Sequence, residues 1–235
     1  MLGYGDLFYL LFALLAAVAS ILSGALALHP RFREISKRYA VALASGIVVS
    51  AAFLELLPAS DVENNAIFVV LGFFTFYFVE KIIMLHTCGE EECESHTMGW
   101  TAVAGMASDN LIDGVGIAIA YLTDPSFGLI VTVAVVVHEI PQGMASTVLM
   151  QKEGYNTRKI LTILGFAGLT YPIGALLSTF IPSDMYVAII AFVAGDFIYI
   201  GAADLLGEAH RRFSYKVVIA TILGAVFFVV VETLI

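Results

Sequence analysis

The sequence predicts an all-α polytopic membrane protein: eight transmembrane helices with inverted-repeat symmetry and both termini outside the cytoplasm. Three observations carry that expectation. The chain is 60% hydrophobic and only 13% charged, with a mean hydropathy of +0.94; a soluble domain is nearer half apolar and a quarter charged. Eight apolar runs each approach the ~20 helical residues that cross a hydrocarbon core of about 30 Å. All eleven basic residues fall on one side of a membrane threaded by those eight runs.

The runs are 7–28, 39–58, 66–85, 99–122, 127–149, 160–181, 185–205 and 215–235. No Lys or Arg precedes the first, and Asp6 does, so it reads as a retained span rather than a cleaved leader. Arg31, Arg33, Lys37 and Arg38 follow span 1; Lys81 ends span 3; Lys152, Arg158 and Lys159 follow span 5; Arg211, Arg212 and Lys216 follow span 7. The positive-inside rule makes that face cytoplasmic. The outer connections carry Asp61, Glu63, Asp124 and Asp184 and no base. Short connections leave 1–235 as one transmembrane domain, with a longer cytoplasmic loop at 86–98 between spans 3 and 4.

Composition also excludes function classes. A net charge of −9 does not suit nucleic acid. No Gly-x-x-x-x-Gly-Lys-Ser/Thr pattern is present, which argues against ATP as the energy source.

Span 2 contains Gly46 and, nine positions on, Glu55-Leu56-Leu57-Pro58; span 7 contains Gly195 and, nine positions on, Asp204-Leu205-Leu206-Gly207. In the topology above these spans run in opposite directions. Opposed repeats around a midplane site characterise secondary transporters. Chance similarity in an Ala- and Leu-rich chain is the plainer account, but spans 4 and 5 obey the same opposition.

Those two spans carry the richest chemistry. Span 4 reads Asp109-Asn110-Leu111-Ile112-Asp113-Gly114, and span 5 reads His138-Glu139-Ile140-Pro141-Gln142-Gly143. Each sets polar side chains at i, i+1 and i+4, and i and i+4 share a helix face. Both motifs lie about halfway through their spans, so six oxygen or nitrogen donors can converge at one depth. Ionisable groups at that depth are costly and point to function. Carboxylate, amide and imidazole donors suit a borderline divalent ion such as Zn²⁺, Fe²⁺, Mn²⁺ or Co²⁺. Without thiolates the site should exchange its ion rather than cage it. Pro141 frees the carbonyl of Val137 beside His138. A neutral polar cluster that glues helices is the alternative; three acids at one depth argue against it.

Asn110-x-x-Asp113-Gly114 with His138-Glu139-x-Pro141-x-Gly143 resembles the signatures of the ZIP (Zrt/Irt-like) metal transporter family. The ends of spans 2 and 7, the eight-span topology and the ligand-rich 86–98 loop resemble that family too. The resemblance implies an ATP-independent carrier bringing divalent metal into the cytoplasm, Zn²⁺ first and also Fe²⁺, Mn²⁺ or Cd²⁺, by alternating access. It implies ligands at Asp109, Asn110, Asp113, His138, Glu139 and Gln142, with the metal as substrate and no cofactor. Asp109 stands where many members have His, and Gln142 where many have Glu. Span 6 lacks the carboxylate that completes a second metal in some members, so one principal central metal is expected. The harder donor set leans towards Mn²⁺ or Fe²⁺.

Other acids are candidate steps along a pathway: Glu55 near the outer end of span 2, and Asp196, Asp204 and Glu208 on or just after span 7. Glu80 and Glu232 are also intramembrane or nearly so. In the loop, His86, Cys88, Cys93 and His96 stand among four glutamates. They are candidate metal ligands in a compartment that keeps thiols reduced; a solvated acidic hinge is the alternative. The expected partners are divalent metal ions and the lipid bilayer, with a homodimer open as an assembly. Localisation is the cell membrane, multi-pass. One rival reading is an intramembrane zinc protease, but His138-Glu139-x-x-Gln142 lacks the second histidine such a site needs at i+4. A proton- or sodium-coupled cation exporter and a metal-gated sensor are the others.

Overall fold

The structure is a computed structural model and describes residues 8–29, 37–88, 100–211 and 214–234. Among these there is no strand. The helices in chain order are α1 (Phe8–Ala27), α2 (Lys37–Ala51, continued by Ala52–Leu56 and Leu57–Ala59), α3 (Val62–Cys88), α4 (Trp100–Thr123), α5 (Pro125–Lys152), α6 (Thr157–Leu177), α7 (Tyr186–Ile198, continued by Tyr199–Leu205 and Leu206–Ala209) and α8 (Tyr215–Leu234). Seven are long and apolar enough to cross a membrane. The remaining one, α4, has 24 residues, or about 36 Å of helix. Its length suffices, and its apolar character is diluted by the polar motif Asp109-Asn110-x-x-Asp113. The described helices thus form a polytopic membrane architecture.

Local chemistry sets the ends. Asp124 opens α5 by accepting from the backbone N–H of Ser126 at 2.9 Å and of Phe127 at 3.1 Å. Asn156 caps α6, accepting from the Lys159 N–H at 2.9 Å. Gly154 just before it has φ +78°, which glycine adopts without steric cost. Unlike these ends, α2 and α7 change pitch internally. Both widen into a π-helical turn, at Ala52–Leu56 and at Tyr199–Leu205. Such turns leave carbonyls without their usual partner and concentrate at functional positions. In α7, Gly201 O takes the Leu206 N–H and also accepts from Ser45 Oγ of α2 at 2.9 Å. Each turn contains one of the repeated carboxylates, Glu55 or Asp204.

Packing divides the helices. α1, α4, α5 and α6 contact one another extensively; α2, α3, α7 and α8 form the second set, with α8 on α2 and α3 on α7. Where helices cross most closely, glycine faces backbone. A Cβ on Gly114 would strike the Tyr171 carbonyl, and one on Gly174 the Leu111 carbonyl, which ties α4 to α6. The same reciprocity joins α2 to α8 (Gly46 on Thr221, Gly224 on Leu43) and α3 to α7 (Gly72 on Phe192, Gly195 on Val69). Small residues let helices approach when hydrophobicity supplies no drive between them. The two sets meet where α5 packs on α2 and α7 packs on α4. The core there is built from Ile47, Val48, Ile117, Val135, Val193 and Phe197. The outer faces of α3 and α8 are apolar and exposed, with Phe68, Phe74 and Phe78 on one and Ile222, Val226 and Val230 on the other. Lipid is the solvent such faces require.

Candidate metal centre

The two motifs meet as their spacing predicts. One ligand atom each from Asp109, Asp113, His138 and Glu139 lies within 4.8 Å of the others, and all four residues are buried. The imidazole is the hub. His138 Nε2 lies 3.2 Å from Asp113 Oδ2 and 3.7 Å from Glu139 Oε1. His138 Nδ1 lies 3.2 Å from the Ala134 carbonyl. A carbonyl only accepts, so the Nδ1 hydrogen points there, and Nε2 faces two carboxylates that also accept. The arrangement calls for a proton on Nε2 or a cation among the three. A backbone carbonyl that fixes the tautomer in this way is typical of metal-binding histidines. The Phe197 ring of α7 packs edge-on against the imidazole, with centroids 5.8 Å apart, and holds its plane.

The other two motif residues behave differently. Asn110 is buried, but its amide donates to the Ala167 carbonyl of α6 at 2.9 Å, leaving Oδ1 without a hydrogen bond. Gln142 donates to Asp109 Oδ2 at 2.9 Å, so Asp109 Oδ1 is the unpartnered oxygen. Asp113 Oδ1 and Glu139 Oε1 also lack hydrogen-bond donors. Buried carboxylate oxygens without donors are expensive in an apolar surround, and a divalent cation is the group that satisfies several at once.

Helix α1 completes the enclosure, which sequence reasoning missed. Ser23 Oγ donates to the Ser20 carbonyl at 2.8 Å and reaches the Glu139 carbonyl at 3.2 Å. Ser20 and Tyr171 face the Glu139 side chain. Gly143 permits this, since a Cβ there would strike Ser23. The available signal was Ser20-x-x-Ser23-Gly24 in an otherwise apolar span, a small-residue packing face.

Below the cluster a cavity of about 250 Å³ is lined by Asp109, Gln142, Ser146, Glu80, Tyr199 and Asp204, among others. Asp109 and Gln142 are the two motif residues on its wall. Asp204 is exposed to it from the π-helical turn of α7. Glu80 of α3 accepts from the Tyr199 hydroxyl and pairs with Lys81 at 2.7 Å. Glu55 lies apart, half-buried at the other end of α2 and within electrostatic reach of Glu232. Asp196 is one turn before the π-helical segment of α7, with Asp109 and Asp113 as its charged neighbours. It is fully buried beside the central cluster. His86 and Cys88 fall in the last turn of α3 with side chains outside the description, as is that of Glu208; Cys93 and His96 lie outside the described residues altogether.

The family model described as ZIP zinc transporter matches residues 85–232, well over half of the chain. Zinc transporter ZIP13 of Pongo abelii is 23% identical over 191 residues, covering 72% of this chain and 57% of that protein. An uncharacterized zinc transporter of Schizosaccharomyces pombe is 27% identical over 50% of this chain and 29% of its own length. The metal cation symporter ZIP8 of Rattus norvegicus is 27% identical over 56% of this chain and 29% of its own. The chain thus spans 57% of the first relative's length and under a third of the other two. The matched stretch contains both central motifs, α7 and the cavity-lining Asp109, Gln142, Ser146, Tyr199 and Asp204, and the chain belongs to the ZIP zinc transporter family.

Proposed function

We propose that the protein is a secondary transporter that carries divalent transition-metal ions, Zn²⁺ foremost and also Fe²⁺, Mn²⁺ or Cd²⁺, into the cytoplasm without ATP. The observation that carries this reading is the buried four-ligand cluster of Asp109, Asp113, His138 and Glu139 with a cavity beginning at its edge. Asp109 belongs to both, so an ion leaving the cluster meets the cavity there and then Asp204. By the charge rule above, Asp204 is at the cytoplasmic end of this path, and the inward direction is what the family resemblance implies. Three carboxylates and one imidazole, without sulfur, bind firmly enough to select and loosely enough to release.

Alternating access is the mechanism we favour, with eight spans and both termini outside. Its support is the division of helices into two sets meeting at the ion site. Exchanging α1 with α6, α2 with α7, α3 with α8 and α4 with α5 turns the α1–α5 contact into α6–α4, and α2–α8 into α7–α3. Both contact pairs exist, as an inverted repeat requires, and the two π-helical turns fall on exchanged helices. The set bearing the ligands, α1, α4, α5 and α6, would slide against the other. A protease is disfavoured because the position at i+4 from His138 holds Gln142, whose amide is spent on Asp109.

The test is uptake into liposomes containing the purified protein, with Zn²⁺, Mn²⁺, Fe²⁺ and Cd²⁺ in competition. Asp113→Ala and His138→Ala should each lose flux at least tenfold while keeping the wild-type melting profile. Normal transport by both would overturn the assignment.

A further inference from the structure

Asp109 is where the cluster opens into the cavity, and one turn away the cavity wall changes chemistry. Met106 precedes Asp109 by three residues on α4, about 4.5 Å of helix rise towards the cytoplasmic end. Residues three apart share a helix face, and both border the cavity. On the facing helix α5, Gln142 and Ser146 stand four residues apart and border it too. The four side chains make two rungs between the helices. Gln142 Nε2 donates to Asp109 Oδ2 at 2.9 Å, and Ser146 Oγ donates to Met106 Sδ at 3.6 Å. The second rung lies one turn below the first.

A methionine in a core is commonly a filler of gaps, and Met106 does pack in a cluster with Met150, Ile160 and Leu164. Filling a gap asks nothing of the sulfur. Here the sulfur is placed: it takes a hydroxyl hydrogen at the cavity wall while the residue is only 8% exposed. A thioether sulfur has two lone pairs, so one remains for a cation. Among the residues that line the cavity, Met106 is the one that brings sulfur. Helices α3 and α7 bring oxygen to the same cavity: Glu80, already bonded to Tyr199 and Lys81, and Asp204.

These donors select differently. Carboxylates and imidazole accept Mn²⁺, Fe²⁺ and Zn²⁺ alike. A thioether is a soft donor that favours Zn²⁺ and the still softer Cd²⁺ over Mn²⁺ and Mg²⁺. We propose that Met106 is a specificity-determining residue on the cytoplasmic exit from the cluster. Its thioether, held at the cavity wall by Ser146, stabilises a soft cation entering the cavity and leaves a hard one to the carboxylates. Discrimination is then divided between two levels: the sulfur-free cluster admits hard and borderline ions, and the sulfur one turn on sorts them. The inference rests on the metal-transport reading for the route it places Met106 on.

The experiment uses the purified full-length chain with His86, Cys88, Cys93 and His96 replaced, so that the loop does not compete for soft metal. Liposomes containing the protein take up Cd²⁺ and Mn²⁺ from a mixture. Met106→Leu, close in volume but without sulfur, should keep the wild-type melting profile and lower the ratio of Cd²⁺ to Mn²⁺ uptake about tenfold. In a second arm the methionine methyl groups carry ¹³C, and the Met106 signal is identified by its absence from Met106→Leu. That signal should move when Cd²⁺ is added and stay in place with Mg²⁺. It should still move in His138→Ala, where the neighbouring cluster is disabled. An unchanged uptake ratio overturns the proposal, as does a Met106 signal that ignores Cd²⁺ or follows it only while His138 is intact. Absence of uptake of either ion by the wild type would overturn the transport reading instead, and the methyl titration would still decide whether Met106 meets the metal.

Discussion

Gln142→Glu tests the chemistry of the cluster most sharply. Gln142 Nε2 donates to Asp109 Oδ2 at 2.9 Å. The substitution replaces that donor by a carboxylate oxygen at similar range. Two unit charges at that separation repel by about 6 kcal/mol at an effective dielectric of 20. Sharing a proton caps the cost near the work of protonating a glutamate at neutral pH, roughly 4 kcal/mol; movement of the side chains lowers it further. The strain is felt without metal and relieved when a divalent cation sits between the carboxylates. The variant should therefore melt lower than wild type in chelator and regain that loss in Zn²⁺. Its Zn²⁺ affinity should rise ten- to a hundredfold, about 1.4–2.8 kcal/mol, with slower turnover in liposomes because release becomes limiting. Competition with a chromophoric chelator reads the affinity, and a proton released on binding reads the shared-proton state. Unchanged affinity together with an unchanged melting difference would refute the Gln142–Asp109 contact.

Other outcomes follow from the same geometry. Gly114→Val should cost about 1–3 kcal/mol by overpacking, seen as a lower melting temperature, because its Cβ would meet the Tyr171 carbonyl; an unaffected protein would mean that α4 and α6 are not in close contact. Replacing His86, Cys88, Cys93 and His96 together should leave basal transport largely intact and change its response to high cytoplasmic metal; complete loss in a folded variant would put the loop on the obligatory path. Single cysteines at Ser50 and Ala203, in a background with Cys88 and Cys93 replaced, should label reciprocally from opposite sides as metal is varied; full labelling of both in every condition would indicate a channel.

Much of this protein is written in short-range features of the chain. Hydropathy and the distribution of Lys and Arg are properties of composition along the sequence, and they predict the spans and the proposed orientation. The pairing of Asp109 with Asp113 and of His138 with Gln142 at i and i+4 follows from helix pitch alone, and their shared depth from lying about halfway through their spans. The positions of Glu55, Asp196 and Asp204 look alike at that level: each is an acid in an apolar helix. A helix in lipid is apolar nearly all round, so its hydrophobic pattern does not reveal which face is inside. Helix rotation decides it. The glycine contacts Gly195 on Val69 and Gly116 on Val193 turn α7 so that Asp196 meets the cluster, and the π-helical turn that follows brings Asp204 to the cavity wall. The hydrogen bond from Gln142 to Asp109, the closure by Ser20 and Ser23 from α1, and the Phe197 brace on His138 likewise depend on which helices touch. Those contacts join residues far apart in sequence, through close approaches that only the packed bundle determines.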